Sequence, residues 1–147
     1  MKSNPIINFW RYHYRLLTGH IKYPDVKQIT DDSEPAYRTF LRIVRYGKTG
    51  SRVSAHAILK VTFGVRKMSF IQKRVIPLLS IPFFAGFRGF VSKSFMVDEA
   101  QNMFRGCYEW ESVEAAQEYI FSYPMSFMRK ISVPGTLCYE IHKTGAE

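Results

Sequence analysis

Apolar and polar residues change their spacing several times along this chain, and each change marks an expected element. Across positions 53–63 the apolar side chains Val53, Ala55, Ala57, Leu59, Val61 and Phe63 take every second place. Ser54, His56, Lys60 and Thr62 stand between them together with Ile58, the period of a strand with one face turned to a partly wet pocket. Positions 87–97 and 103–110 read as two further strands, joined by a polar connection, 98–102, of hairpin length. Both read as apolar on two faces, with Phe87, Phe90, Val91, Phe95 and Met96 in the first and Phe104, Cys107, Tyr108 and Trp110 in the second. Pro134 and Gly135 make a turn before a last strand, 136–142.

Helical spacing fills the gaps. Residues 5–18 can be capped by Ser3 or Asn4, started by Pro5 and stopped by Gly19. Ile6, Phe9, Trp10, His13, Leu16 and Leu17 share one broad face, with Arg11 and Arg15 opposite. Such a face suits packing on the domain or on a partner copy, and it also suits a membrane surface. Positions 20–32 read as a loop. Tyr37, Phe40, Leu41 and Val44 fall at i, i+3, i+4 and i+7 within 34–46, between Pro35 and Gly47, and predict a second helix. Arg38, Arg42 and Arg45 form its other stripe, a solvated face or a phosphate site. A third helix is expected over 66–79, with Met68, Ile71, Val75, Leu78 and Leu79 inward and an end or kink near Pro77. Ser112 caps a fourth that runs to about Phe121; Pro124 interrupts it, and 125–130 add another turn.

From position 53 onward the order is therefore β-α-β-β-α-β. Its two crossovers place both helices on one side of a four-stranded antiparallel sheet, an α+β, ferredoxin-like arrangement. An apolar second face of that size calls for cover, so a homodimer through the sheet face is expected. The turn-like link 48–52 divides an N-terminal helical extension, 1–50, from the main module, 51–147.

Composition narrows the class. A chain of 147 residues, 46% hydrophobic, can hold one ordinary core without metal or disulfide. Cys107 and Cys138 fall in expected strands without metal-site spacing and read as small buried hydrophobes in a reducing compartment. With no apolar leader and no apolar run long enough to span a bilayer, a cytoplasmic protein is expected. The net charge of +9 is unevenly placed: 35–97 holds twelve Lys or Arg and no carboxylate, whereas 98–147 holds eight acids against four bases. That asymmetry fits an anionic partner, a solvated face, or the acidic half of a partner subunit.

No phosphate-binding loop, zinc motif, paired-Cys motif, nucleophile elbow or cofactor fingerprint occurs, and neither a metal nor a cofactor is expected. Gly86-Phe-Arg88, the strand ending Phe95-Met-Val-Asp98-Glu99, and Phe104-Arg-Gly-Cys-Tyr-Glu-Trp110-Glu-Ser112-Val-Glu114-Ala115-Ala116 together resemble the dimeric α+β barrel superfamily. Within it they are most similar to the small monooxygenases related to the antibiotic-biosynthesis monooxygenases. The resemblance covers about 53–142. It implies a homodimer with a pocket between sheet and helices in each subunit, where a small aromatic or polycyclic substrate is oxidised without metal or flavin. It equally implies a non-catalytic binder of a hydrophobic or anionic ligand, haem included.

The residues themselves offer candidates. His56 can transfer a proton near neutrality, and it also suits a hydrogen-bonded place in the dimer interface. Arg88 can hold an enolate or carboxylate, Tyr108 can hydrogen-bond a carbonyl, and Trp110 and Phe90 can stack on a ring. Tyr108 and Trp110 suit a plain core as well. His13 and His20 qualify as haem ligands only as any histidine does, and His142 is expected at an exposed strand end. A third reading is a basic-surface protein that binds nucleic acid or an anionic membrane through the carboxylate-free half; against its nucleic-acid form, the third strand of the module matches an RNA-recognition signature poorly, and a paired sheet has no free face for stacking.

Overall fold

The computed structural model describes residues 4–26, 37–66 and 69–145. The chain begins with helix α1 (Pro5–Leu17), capped by the Asn4 side chain on the Ile6 amide, and a short strand β1 (Ile21–Lys22). Strands β2 (Arg38–Arg45) and β3 (Ala57–Gly64) follow, then helix α2 (Phe70–Ala85) and the hairpin β4 (Phe90–Asp98) and β5 (Met103–Trp110). Helices α3 (Val113–Ile120) and α4 (Tyr123–Ile131) and strand β6 (Cys138–Lys143) complete it. One antiparallel sheet takes the order β1-β2-β4-β5-β3-β6. Its last four strands are the expected ferredoxin-like unit, with α2, α3 and α4 on one face.

Residues 34–46 are not a helix. Positions 34–36 lie outside the described residues, and the rest is β2, paired along β4 from Arg38 opposite Val97 to Val44 opposite Ser92. The N-terminal stretch therefore adds two strands to the module's own sheet. The link before β3 is a closed turn, in which the Gly47 amide donates to the Ser51 carbonyl at 2.8 Å.

Cross-strand partners show what each face carries. On the helix side one row runs Ile43, Lys93, Tyr108, Leu59, Ile141, and the next runs Leu41, Phe95, Gly106, Val61, Tyr139. On the other side the rows are Arg42, Ser94, Cys107, Lys60, Glu140 and Val44, Ser92, Glu109, Ile58, His142. The second face is thus polar rather than apolar. A bulge between Phe90 and Ser92 brings Phe90 to the same side as Phe95, and β5 alternates cleanly, with Phe104, Tyr108 and Trp110 toward the helices. Neither cysteine is deeply buried: Cys107 is half-buried on this face and Cys138 is exposed.

Part of the charge asymmetry is met within the chain, at three of the twelve bases of 35–97. Arg38 pairs with Glu99 at 2.8 Å, Arg45 with Glu111 and Arg52 with Glu109, each joining a base of the first half to an acid of the second. Ser92 adds a hydroxyl donated to Glu109 at 2.5 Å.

Helix α2 starts later and runs further than its spacing suggests. Ser69 and Gln72 form a reciprocal capping box, and the helix continues through both Pro77 and Pro82; Arg66 stands before it, and Met68 lies outside the described residues. Its C-terminal carbonyls are capped from α1. Arg15 donates to the carbonyls of Ala85 (2.7 Å) and Phe87 (3.1 Å), and Arg11 donates to that of Gly86 (2.9 Å). Gly86 is needed there, because a Cβ would lie 1.7 Å from the Asn8 carbonyl oxygen. The polar side of α1 therefore faces inward, and its apolar side faces out.

Candidate functional site

Between the helix face of the sheet and helices α2 and α4 lies a cavity of about 270 Å³. Aromatic and aliphatic side chains dominate it: Phe63, Phe84, Phe95 and Phe104 from the sheet side and α2, Tyr123, Phe127 and Met128 from α4. The volume sits near the lower end of small-ligand sites, which run from about 300 Å³ upward.

Lys93 is the feature that separates this cavity from a packing defect. The side chain is 5% exposed, on the central row of the sheet, and lines the cavity. Its Nζ lies 4.1 Å from the ring centre of Phe84, 3.9 Å from that of Phe95 and 4.4 Å from that of Tyr108. Among the described residues no carboxylate lines the cavity. Ring faces attract a desolvated cation by about 2 kcal/mol, far less than water does, so burial pushes the ammonium well below the ordinary lysine range. Gly106 makes the room: a Cβ there would come within 2.7 Å of the Tyr108 ring and 3.2 Å of Lys93 Cε.

Beside the lysine, the Tyr108 and Tyr119 hydroxyls are 3.0 Å apart, and both residues line the cavity. Burial, and the neighbouring Tyr119, push the Tyr108 phenol well above its ordinary value; burial also raises Tyr119, partly offset by its bond with Tyr108. Both stay neutral hydroxyls at physiological pH. A free amine with two phenols in a dry aromatic pocket can accept a proton from an acidic ligand and, as the ammonium so formed, hold the resulting anion.

Of the residues singled out from sequence, the structure brings only Tyr108 to this cavity. Trp110 and Phe90 are buried in the core behind it, where Trp110 stacks on Tyr108 at 6.2 Å and meets Phe90 edge-on at 5.9 Å. His56 is exposed just before β3, and Arg88 is exposed in the turn after α2; neither lines the cavity. None of the four histidines does, and His13 and His20 bond the Phe9 carbonyl and the Thr18 hydroxyl. Lys93 was missed, although one signal was available: it falls in phase with Phe95 and Val97, on the parity that faces the helices. Among the described residues no cluster of His, Cys, Asp and Glu could hold a metal ion, and no helix is long and apolar enough to cross a membrane.

No protein-family model matches the chain, and no curated protein matches it by sequence. Solved structures do. A ferredoxin-fold protein from Listeria monocytogenes related to antibiotic biosynthesis monooxygenases superposes with a TM-score of 0.57 at 12% identity, over 76% of this chain and 65% of that one. A monooxygenase-like protein from Listeria innocua gives 0.56 at 14% identity, over 76% and 65%. A heme-degrading enzyme from Listeria monocytogenes gives 0.54 at 16%, over 74% and 71%. The chain spans 65% of the length of the first two. At such identities the likeness is one of architecture, and the chain has the ferredoxin-like fold found in proteins related to antibiotic biosynthesis monooxygenases.

Proposed function

We propose that the protein takes a small, mainly apolar aromatic or polycyclic molecule bearing an acidic hydrogen into this cavity and oxidises it with molecular oxygen, without metal or flavin. The observation that carries the reading is Lys93, a titratable group set among rings with no acid to neutralise it. As a free amine, Lys93 accepts the proton of an enolisable or phenolic ligand and then faces the anion as an ammonium. The anion gives up electrons to oxygen far more readily than its parent acid. Where a ring methylene becomes a carbonyl, one oxygen atom enters the product and the other leaves as water with the two hydrogens. Phe84 and Phe95 keep bulk water away from the anion, and the Tyr108–Tyr119 pair supplies a hydroxyl to its oxygen.

Oxygen uptake with a panel of anthrone-like compounds and quinols is the test. The native protein is expected to consume oxygen with at least one of them, and Lys93→Met to slow that rate by about 100-fold or more. The native rate should also fall as pH drops through the depressed Lys93 value, because only the free amine takes a proton. An unaltered rate in Lys93→Met would sink the reading; ligand binding with no oxygen consumed would reduce it to a binder. Roles for His56 and Arg88 are read in the same assay. Their exposed positions make unchanged rates in His56→Ala and Arg88→Ala the expected result, which would remove both. The same reading keeps two copies paired through the open sheet face.

A further inference from the structure

The face that α1, α2 and α4 turn to solvent is apolar where a soluble surface should be polar. On α1 the outward arc is Ile6, Ile7, Trp10, Tyr14 and Leu17, with Trp10 67% and Leu17 87% exposed. Helix α2 is apolar nearly all round, the composition of a helix covered on every side, yet Ile71, Leu78 and Leu79 are exposed. The patch is continuous: Phe9 packs on Phe83 at 6.3 Å, and Ile6, Phe9, Phe83 and Tyr123 border one depression. Leu79, Tyr123 and Phe127 belong both to this exposed patch and to the lining of the Lys93 cavity, so the cavity opens in its midst.

Charge identifies the occupant. None of these three helices contains an aspartate or glutamate, and α4 carries Arg129 and Lys130, both exposed, in its last turn. A second copy seated here would set two acid-free, base-bearing faces against each other. A bilayer containing anionic lipid instead offers hydrocarbon to the aliphatic residues, a headgroup layer to Trp10, Tyr14 and Tyr123, and negative charge to the bases. We propose that this face docks on an anionic lipid surface, lying in the interface without crossing it, with the cavity mouth turned toward the lipid. That the cavity's ligand arrives from the lipid phase rests on the ligand reading above; the docking itself does not.

The test is cosedimentation of the full chain with vesicles of phosphatidylcholine alone or with about 30% phosphatidylglycerol. Binding is expected to be about tenfold or more tighter to the anionic vesicles, and to weaken between about 0.1 and about 0.5 M salt. The chain has two tryptophans, and Trp110 is fully buried, so a blue shift of emission on binding reports Trp10 entering the lipid. The double variant Ile6→Glu, Leu17→Glu changes only exposed positions and should fold. It should lose binding by at least about tenfold and show no blue shift. Lys93→Met should bind vesicles as the native chain does, which separates a failure of docking from a failure of the ligand reading. Three outcomes overturn the proposal: no binding to either vesicle, undiminished binding by the double variant, or a native self-associated form that the double variant abolishes in the absence of vesicle binding, which would give the face to a second copy.

Discussion

Three rings, those of Phe84, Phe95 and Tyr108, stand around the Lys93 ammonium where an exposed lysine has water. Stability must then depend on pH in a particular direction. The unfolded chain holds the lysine proton up to about pH 10.4, whereas the folded chain releases it lower. Between those values the unfolded state binds the extra proton, so stability climbs with pH at up to about 1.4 kcal/mol per unit, and the full penalty remains below the window. Tyr108 and Tyr119, raised above the ordinary tyrosine value near pH 10, act only beyond it. Lys93→Met is therefore expected to be more stable than the native chain, by roughly 1–3 kcal/mol at the acidic end, with the gap closing toward high pH. Urea unfolding across the pH range measures this, and a variant less stable at every pH would show that the lysine is held by something other than rings.

Helix α1 is fastened through its arginines rather than its apolar residues. Arg15→Ala removes the guanidinium bonds to the carbonyls of Ala85 and Phe87, leaving the latter with the longer bond from the Phe90 amide (3.3 Å), and is expected to cost about 1–3 kcal/mol. Gly86→Ala should cost more, because the added methyl overlaps the Asn8 backbone and must push α1 off. Urea midpoints and protease cleavage after α1 would register both; native-like values in both variants would mean that α1 is held elsewhere. Amphipathicity places these arginines opposite the apolar face but does not say which of the two faces meets the protein. The β2 segment went unread for a different reason. A bulge between Thr39 and Leu41 inserts Phe40 on the side of Phe95 and Phe104, so the period of two breaks and the apolar residues imitate a helical stripe. The bulge in β4 did the same to Phe90 and made that strand seem apolar on two faces. By contrast the bounds of Met103–Trp110, the Ser112 cap and the crossover order were legible, because nothing interrupts their patterns; Cys107, half-buried on the polar face, is what made that strand read as two-faced.

Across the whole molecule, bases and acids that lie far apart in sequence meet at Arg38–Glu99, Arg45–Glu111 and Arg52–Glu109. Linear charge counting cannot see such closure, which joins the basic first half to the acidic second half and leaves the net charge of +9 as it was. The same three-dimensional view alters what a sheet-face homodimer would be made of. Rows such as Arg42, Ser94, Cys107, Lys60 and Glu140 offer polar contacts, so a dimer through that face is expected to dissociate as salt rises. Sedimentation at low and high salt decides, and a salt-insensitive dimer would have to use another surface. Strand β2 carries one more consequence, for anyone who shortens this protein. A fragment starting at position 51 would lose the strand that satisfies one side of β4 and leave its amides and carbonyls bare along a stretch rich in phenylalanine and valine. A naked edge of that kind recruits any extended chain it meets, and the fragment would be expected to stack into aggregates rather than behave as a minimal unit.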